Sequence, residues 1–150
     1  MKTILKAIAS ALLVLFLFSA CKTSIGAIAA DPERYADRTV SVTGTVKAVL
    51  KVPFSEYSIL SFADGDGEAA VFTVETYTKG DQVTLEVKVI AFPAGQLRMN
   101  GGEAVTAIAD FLVAKGLASR DSVDVTAKRA VKAIGRVADG MGKTFFLIEN

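Results

Sequence analysis

Between residues 39 and 92 apolar and polar positions alternate with a period of two, the pattern of half-buried strands. In "TVSVTGTVKAVL", Thr39 to Leu50, one face carries Val40, Val42, Gly44, Val46, Ala48 and Leu50. The other carries Ser41, Thr43, Thr45 and Lys47. The run is longer than the usual five or six residues. Gly44 falls on the apolar face, where a missing side chain leaves room for a bend or for another backbone. This predicts a coiled first strand that serves two sheets at once. "YSILSFAD", Tyr57 to Asp64, is the second strand and "EAAVFTVE", Glu68 to Glu75, the third, apolar on both faces. "QVTLEVKVIAF", Gln82 to Phe92, is the fourth, with Val83, Leu85, Val87 and Val89 inward. The turns "DGDG" and "TKGD" supply the positive φ that tight connections need. Four strands with no helix between them predict an antiparallel meander.

The period changes on either side. "DPERYADR" opens with Asp31 as a helix cap and Pro32 at the first position, predicting a short helix to about Ala36. Lys22 to Ala30 is rich in small residues and reads as a tether or a first helical turn. "EAVTAIADFLVAK", Glu103 to Lys115, is a helix stopped by Gly116. Val123, Ala127, Ala130, Val131 and Ile134 recur at helical spacing, favouring a second helix to about Ile134. A hairpin of "VKAIGRV" with "KTFFLIE" across "ADGMG" is the alternative. Lys143 to Glu149 is the last strand.

The chain opens differently again. Lys2 and Lys6 precede the apolar run Ala7 to Ala20, a basic region followed by a hydrophobic one, the plan of an export signal. Those 14 residues, almost wholly apolar, would span about 21 Å as a helix, short of a hydrocarbon core of about 30 Å. Cys21 follows directly and is the chain's single cysteine. Phe18-Ser19-Ala20-Cys21 resembles the lipobox of bacterial lipoproteins, with Phe18 where leucine is commoner. The resemblance implies a diacylglyceryl group on the Cys21 sulfur, cleavage before Cys21 and acylation of the new amine. It also implies the cell envelope. Lys22 follows the cysteine where aspartate would resemble an inner-membrane retention signal, which points to the periplasmic face of the outer membrane in a diderm. The expected organisation is a signal over 1–20, a tether over 21–30 and one domain over 31–150 with a helical insertion at 103–135.

Charge narrows the function classes. Of 17 basic residues, 15 remain once Lys2 and Lys6 are removed with the signal, against 16 acidic. A near-neutral domain lacks the basic footprint of a nucleic-acid binder. There is no histidine, which removes the commonest general base and metal ligand. Asp64, Asp66 and Glu68 alternate around the "DGDGE" turn, but no twelve-residue calcium loop surrounds them. They read as a solvated turn, and no metal, cofactor or enzyme activity is expected. Lys128, Arg129, Lys132 and Arg136 read as a solvated basic helical face.

The span from Ile25 to Ala91 resembles the OB-fold, the five-stranded oligonucleotide/oligosaccharide-binding barrel. It is similar to the OB-type domains of small bacterial lipoproteins and of the tRNA anticodon-binding-like group. The carrying residues are Pro32, Tyr35, Val40, Val42, Gly44 and Val46, then "DGDGEAAVF" and "KGDQVTLEV". The chain departs from the pattern after Phe92, where about fifty residues intervene. The expectation is a mainly β, α+β fold: an OB-like antiparallel barrel with two helices inserted before the last strand. Another small antiparallel β domain is the alternative. The resemblance implies binding on the face of strands two and three and at the loop rims. Tyr57 and Tyr77 are the candidates for stacking, with Lys47, Lys51 and Arg98 for anions. For the tyrosines, core positions are equally open; Phe62 and Phe72 read as core. The implied partners are the membrane, through Cys21, and a small or oligomeric ligand or an envelope protein. A structural envelope subunit docking through its helices is the second possibility.

Overall fold

A computed structural model of the chain describes residues 22–52, 55–93 and 102–150. The expected export segment, Cys21 and Arg98 lie outside the described residues. In chain order the elements are α1 (Ile25–Ala30), α2 (Pro32–Tyr35), β1 (Thr39–Lys51), β2 (Ser58–Ala63), β3 (Glu68–Thr73), β4 (Gln82–Ala91), α3 (Gly102–Ala114), α4 (Val123–Met141) and β5 (Phe145–Glu149). The strands close into a barrel in the order β1-β2-β3-β5-β4. Both helices of the chain's second half precede the closing strand, as expected of an OB-like barrel with a helical insertion.

The barrel is mixed rather than wholly antiparallel. β3 and β5 run parallel, with Val71 opposite Leu147 and Phe72 opposite Ile148, and the other four pairings are antiparallel. Parity requires this, since strand directions can alternate all the way round a closed ring only if the ring has an even number of strands. β4 is the return strand between them in the chain, so β3 and β5 point the same way, and the α3–α4 excursion joins β4 to β5.

β1 serves both sides of the closure. From Thr39 to Thr45 it pairs with β4, and from Thr45 to Lys51 with β2. At the changeover sits Gly44. A Cβ added there would lie 2.3 Å from the carbonyl oxygen of Ala63, so two backbones meet where any side chain would intrude. The expected inward alternation holds through Val46 and then slips. The register skips Lys47 between Val46 and Ala48, a bulge that gives β1 one residue more than its partner. Beyond it Val49 turns inward, while Ala48 and Leu50, expected on the apolar face, are exposed.

Two hydrophobic layers result. Inside the barrel, Val42, Val46, Leu60, Phe62, Leu85 and Val87 pack with Ile25 and Ile28 of α1. Outside it, α3 and α4 lie on β2, β3 and β5, with Ile59, Phe72, Ile108, Leu112, Ile134 and Phe146 between them. β3 and β5 are therefore sandwiched. Ala69 and Val71 face the interior while Ala70 and Phe72 face the helices, and Phe145 and Leu147 alternate likewise with Phe146 and Ile148. This double burial explains why "EAAVF" and "FFLI" are apolar on both faces.

α4 runs seven residues past Ile134. Val123, Ala127, Ala130, Val131, Ile134 and Ala138 form one buried stripe, which selects the helix over the alternative hairpin. It ends at Gly142, whose φ of 67° and backbone N–H bonds to the carbonyls of Ala138 and Asp139 make a left-handed cap. α3 stops at Gly116 (φ 71°), where the Leu117 N–H reaches the Leu112 carbonyl at 2.9 Å.

Of the two readings of Lys22 to Ala30, a tether or a first helical turn, the helical one forms, as α1. Ser24 caps this helix, its Oγ accepting from the Ala27 N–H at 3.0 Å. Ile25 and Ile28 are wholly buried in the barrel. Two isoleucines three residues apart give a single turn enough apolar surface to dock, which small-residue composition alone does not reveal. α2 forms as its cap predicts, with the Asp31 Oδ1 accepting from the Arg34 N–H at 3.4 Å.

Candidate ligand-binding surface

On an OB barrel the outer face of strands two and three is the expected ligand platform. Here that face is covered. Tyr57 is 5% exposed, with its ring 5.0 Å from that of Phe72. Phe72 in turn meets Phe111 of α3 edge-on at 5.6 Å. Burial raises the pKa of the Tyr57 hydroxyl, and the nearby positive charge of Arg129 on α4 works against that rise. Tyr57 thus belongs to the layer joining barrel and helices, and its ring is not open for stacking. The period-two pattern could place Tyr57 on a strand face, but nothing local tells that the face is roofed by helices fifty residues away.

Tyr77 is partly buried and lies in the β3–β4 connection. Its hydroxyl donates to Glu149 Oε1 at 2.5 Å. The other oxygen, Oε2, accepts from the Thr73 hydroxyl at 2.5 Å, and Thr73 Oγ1 accepts from the Glu75 N–H at 2.9 Å. Thr73 is fully buried, so this carboxylate gives its hydroxyl proton an acceptor inside the fold. The knot joins the end of β3, the end of β5 and the intervening loop. Burial first, then the hydrogen bond to the Glu149 carboxylate, push the Tyr77 hydroxyl pKa well above the ordinary tyrosine range. Neither Thr73 nor Glu149 was singled out in the sequence; a threonine inside an otherwise apolar strand was the one available sign.

This knot carries a prediction. In the unfolded chain Tyr77 titrates near 10, while in the folded chain it holds its proton to higher pH. Above that value the unfolded state binds fewer protons than the native one, so stability falls as pH rises. Tyr77→Phe should flatten that alkaline loss. At neutral pH it should cost about 1.5 kcal/mol, the low end for a hydrogen bond to a charged group. Urea midpoints of the two proteins measured from pH 7 to 11 check both effects; an unchanged alkaline slope would show that Tyr77 is not the titrating group.

The open polar surface lies elsewhere. A cleft of about 730 Å³ runs between the exposed side of β1 and the β2–β3 hairpin, lined by Thr43, Thr45, Lys47, Asp66, Glu68 and Gln82 among others. Asp64 stands at its edge, but its carboxylate is committed to the backbone. Oδ1 accepts from the N–H groups of Asp66 at 2.9 Å and Gly67 at 3.0 Å. Oδ2 accepts from the Ile25 N–H at 2.7 Å, bracing the hairpin against the start of α1. Among the described residues no group of three acidic, histidine or cysteine side chains stands where it could hold a metal ion. The cleft offers one ammonium, two uncommitted carboxylates and hydroxyls, a set suited to polar ligands.

The five expected ligand residues are therefore not gathered into one site. Lys47, at the bulge, lines the cleft. Lys51 is exposed at the far end of β1, opposite Ser58. Tyr57 and Tyr77 are held in the fold, and Arg98 lies outside the described residues. Lys128, Arg129, Lys132 and Arg136 are all exposed along α4. The "AVTAIADFLVA" helix packs Ala104, Ile108, Ala109 and Leu112 inward, with Val105, Phe111 and Val113 partly buried against the same layer.

By topology the described chain is an OB-like barrel with a helical pair packed on its outer wall. No family model and no curated protein matches its sequence. No helix among the described residues is long and apolar enough to cross a membrane.

Proposed function

We propose that the protein is a lipid-anchored lipoprotein of the cell envelope whose OB-like domain is a non-enzymatic binding module. The observation that carries this reading is the lipobox-like "FSAC" behind a basic start and an apolar run. It places cleavage before Cys21, and Lys22 on the retained side is bonded to β1. Maturation at Cys21 would leave the domain whole. Binding falls to the polar surface, since the platform used by ligand-binding OB barrels is roofed by α3 and α4. That roof, with the near-neutral charge, disfavours nucleic acid, which non-specific binding recruits through cationic surface. The apolar face of the α3 helix is largely spent within the chain, so docking of an envelope partner through that helix gains no support.

The test is the mass and location of the mature protein. The mature chain should carry the mass of a diacylglyceryl group and an amide-linked acyl chain on the polypeptide from Cys21 onward, and should fractionate with membranes. Cys21→Ser should leave it unprocessed or release it. A mature wild-type protein at bare polypeptide mass overturns the anchor. On the binding side, a fluorescent single-stranded oligonucleotide should show no saturable binding at physiological salt. Micromolar affinity there would restore the nucleic-acid reading.

A further inference from the structure

Resting on the lipid-anchored reading, we infer that the barrel seats directly on the bilayer, with the start of β1 pinned against phospholipid headgroups and the far end of β1 on average farther from them. The inference comes from the absence of slack between anchor and fold. Lys22 forms a parallel bridge with Ser41, and the Thr23 N–H donates to the Ser41 carbonyl at 2.9 Å. These bonds fall on the edge of β1 that β2 does not reach, because β2 pairs only from Thr45 onward. Ser24 then caps α1, and Ile25 and Ile28 are wholly buried. Freeing this segment to act as a tether would expose both isoleucines, strip the Ile25 N–H from Asp64 and reopen the β1 edge.

The magnitudes decide which end of β1 lies nearer. Adjacent Cα atoms are about 3.8 Å apart, so a lipidated Cys21 stands no farther than that from a residue fixed to the barrel. The headgroup layer is about 5–7 Å thick on each side of the hydrocarbon core. The surface around Lys22 must therefore lie at headgroup depth. From Thr39 to Lys51 a straight strand would span about 40 Å, less when coiled. A link of one peptide unit pins the start of β1 while the barrel pivots about it, so the far end ranges outward and the near end stays at headgroup depth. The chemistry at the near end is compatible with headgroups. Lys22 and Arg38 are exposed, and Lys88, opposite Thr39, keeps 43% of its side chain exposed beside Asp37. Glu86 and Asp37 moderate this charge, so the lipid chains bind and this edge does not oppose contact with headgroups.

The experiment uses the lipidated full chain in phosphatidylcholine–phosphatidylglycerol vesicles that carry a headgroup-attached acceptor dye. Lipidation occupies the single native cysteine, so Thr39→Cys and Lys51→Cys, both at exposed positions, each accept one donor dye. The Thr39 label should be quenched several-fold more strongly than the Lys51 label. A Gly/Ser spacer of about a dozen residues between Cys21 and Lys22, with an r.m.s. span of about 20 Å, should bring the two values together. Equal quenching in the unspaced protein, or a spacer without effect, overturns the seated orientation while leaving the anchor intact. A protein that is not retained by vesicles and lacks lipid mass overturns the anchor itself, and the orientation with it. Far-UV circular dichroism guards against misfolding, and a Thr43→Cys label serves as a second near-end position.

Discussion

Gly44→Val is expected to destabilise the protein by about 3 kcal/mol, the upper part of the range for overpacking, and Gly44→Ala to cost a large part of that. The reason is geometric. The carbonyl oxygen of Ala63 stands 2.3 Å from where a Cβ would be, and the Asp64 Cα stands 3.0 Å away. These are backbone atoms and cannot rotate aside like a flexible side chain. Relief would require β1 and β2 to part at the point where β1 exchanges partners. Thr43→Val, one residue away on the outer face, loses an exposed hydroxyl contact with Thr84 (2.7 Å) and should stay within about 0.5 kcal/mol, as surface changes do. Chemical denaturation of the three variants separates these outcomes. Equal losses at positions 43 and 44 would contradict the close approach at Gly44.

Phe72→Ala is expected to cost about 3–5 kcal/mol, as large-to-small aromatic truncations in cores do. Phe72 is wholly buried, points outward from β3 and lies between the rings of Tyr57 and Phe111. It thus links barrel to helices. Its removal should loosen α3 and α4 before it opens the barrel, because the interior layer keeps Phe62, Leu60 and Val71 in place. Hydrogen exchange read residue by residue should show the helices losing protection first. Uniform loss throughout would mean that the two layers unfold as one unit.

Both predictions touch features that were legible to different degrees. The strands could be read because a half-buried strand must alternate, and Val83, Leu85, Val87 and Val89 do so without interruption in β4. Gly44 could be read because glycine on the apolar face of a long β-rich run is hard to explain except by close approach. The helix stop at Gly116 follows the same logic, since it takes the left-handed backbone that ends helices; the stop at Gly142 lies beyond the expected end near Ile134. The bulge at Lys47 could not be read. Ala48 and Leu50 continue the apolar alternation, and an extra residue in one strand is defined only against its partner's register.

The candidate site was less legible than the fold, for a related reason. Tyr57 and Tyr77 have side chains that suit either a stacking surface or a core, and composition cannot decide between them. Tertiary packing did: α3 and α4 fold back over β2, β3 and β5, and Glu149 crosses seventy-two residues to reach Tyr77. The sequence by itself determined the strands, α2 and α3, and the turns between strands, because periodicity and backbone preference are local. Only the tertiary structure decided the parallel closure of β3 with β5, the burial of the expected ligand face and the docking of α1 into the barrel. Each of these depends on which distant surface meets which, and that is set by the burial of apolar area across the whole chain rather than by any one segment.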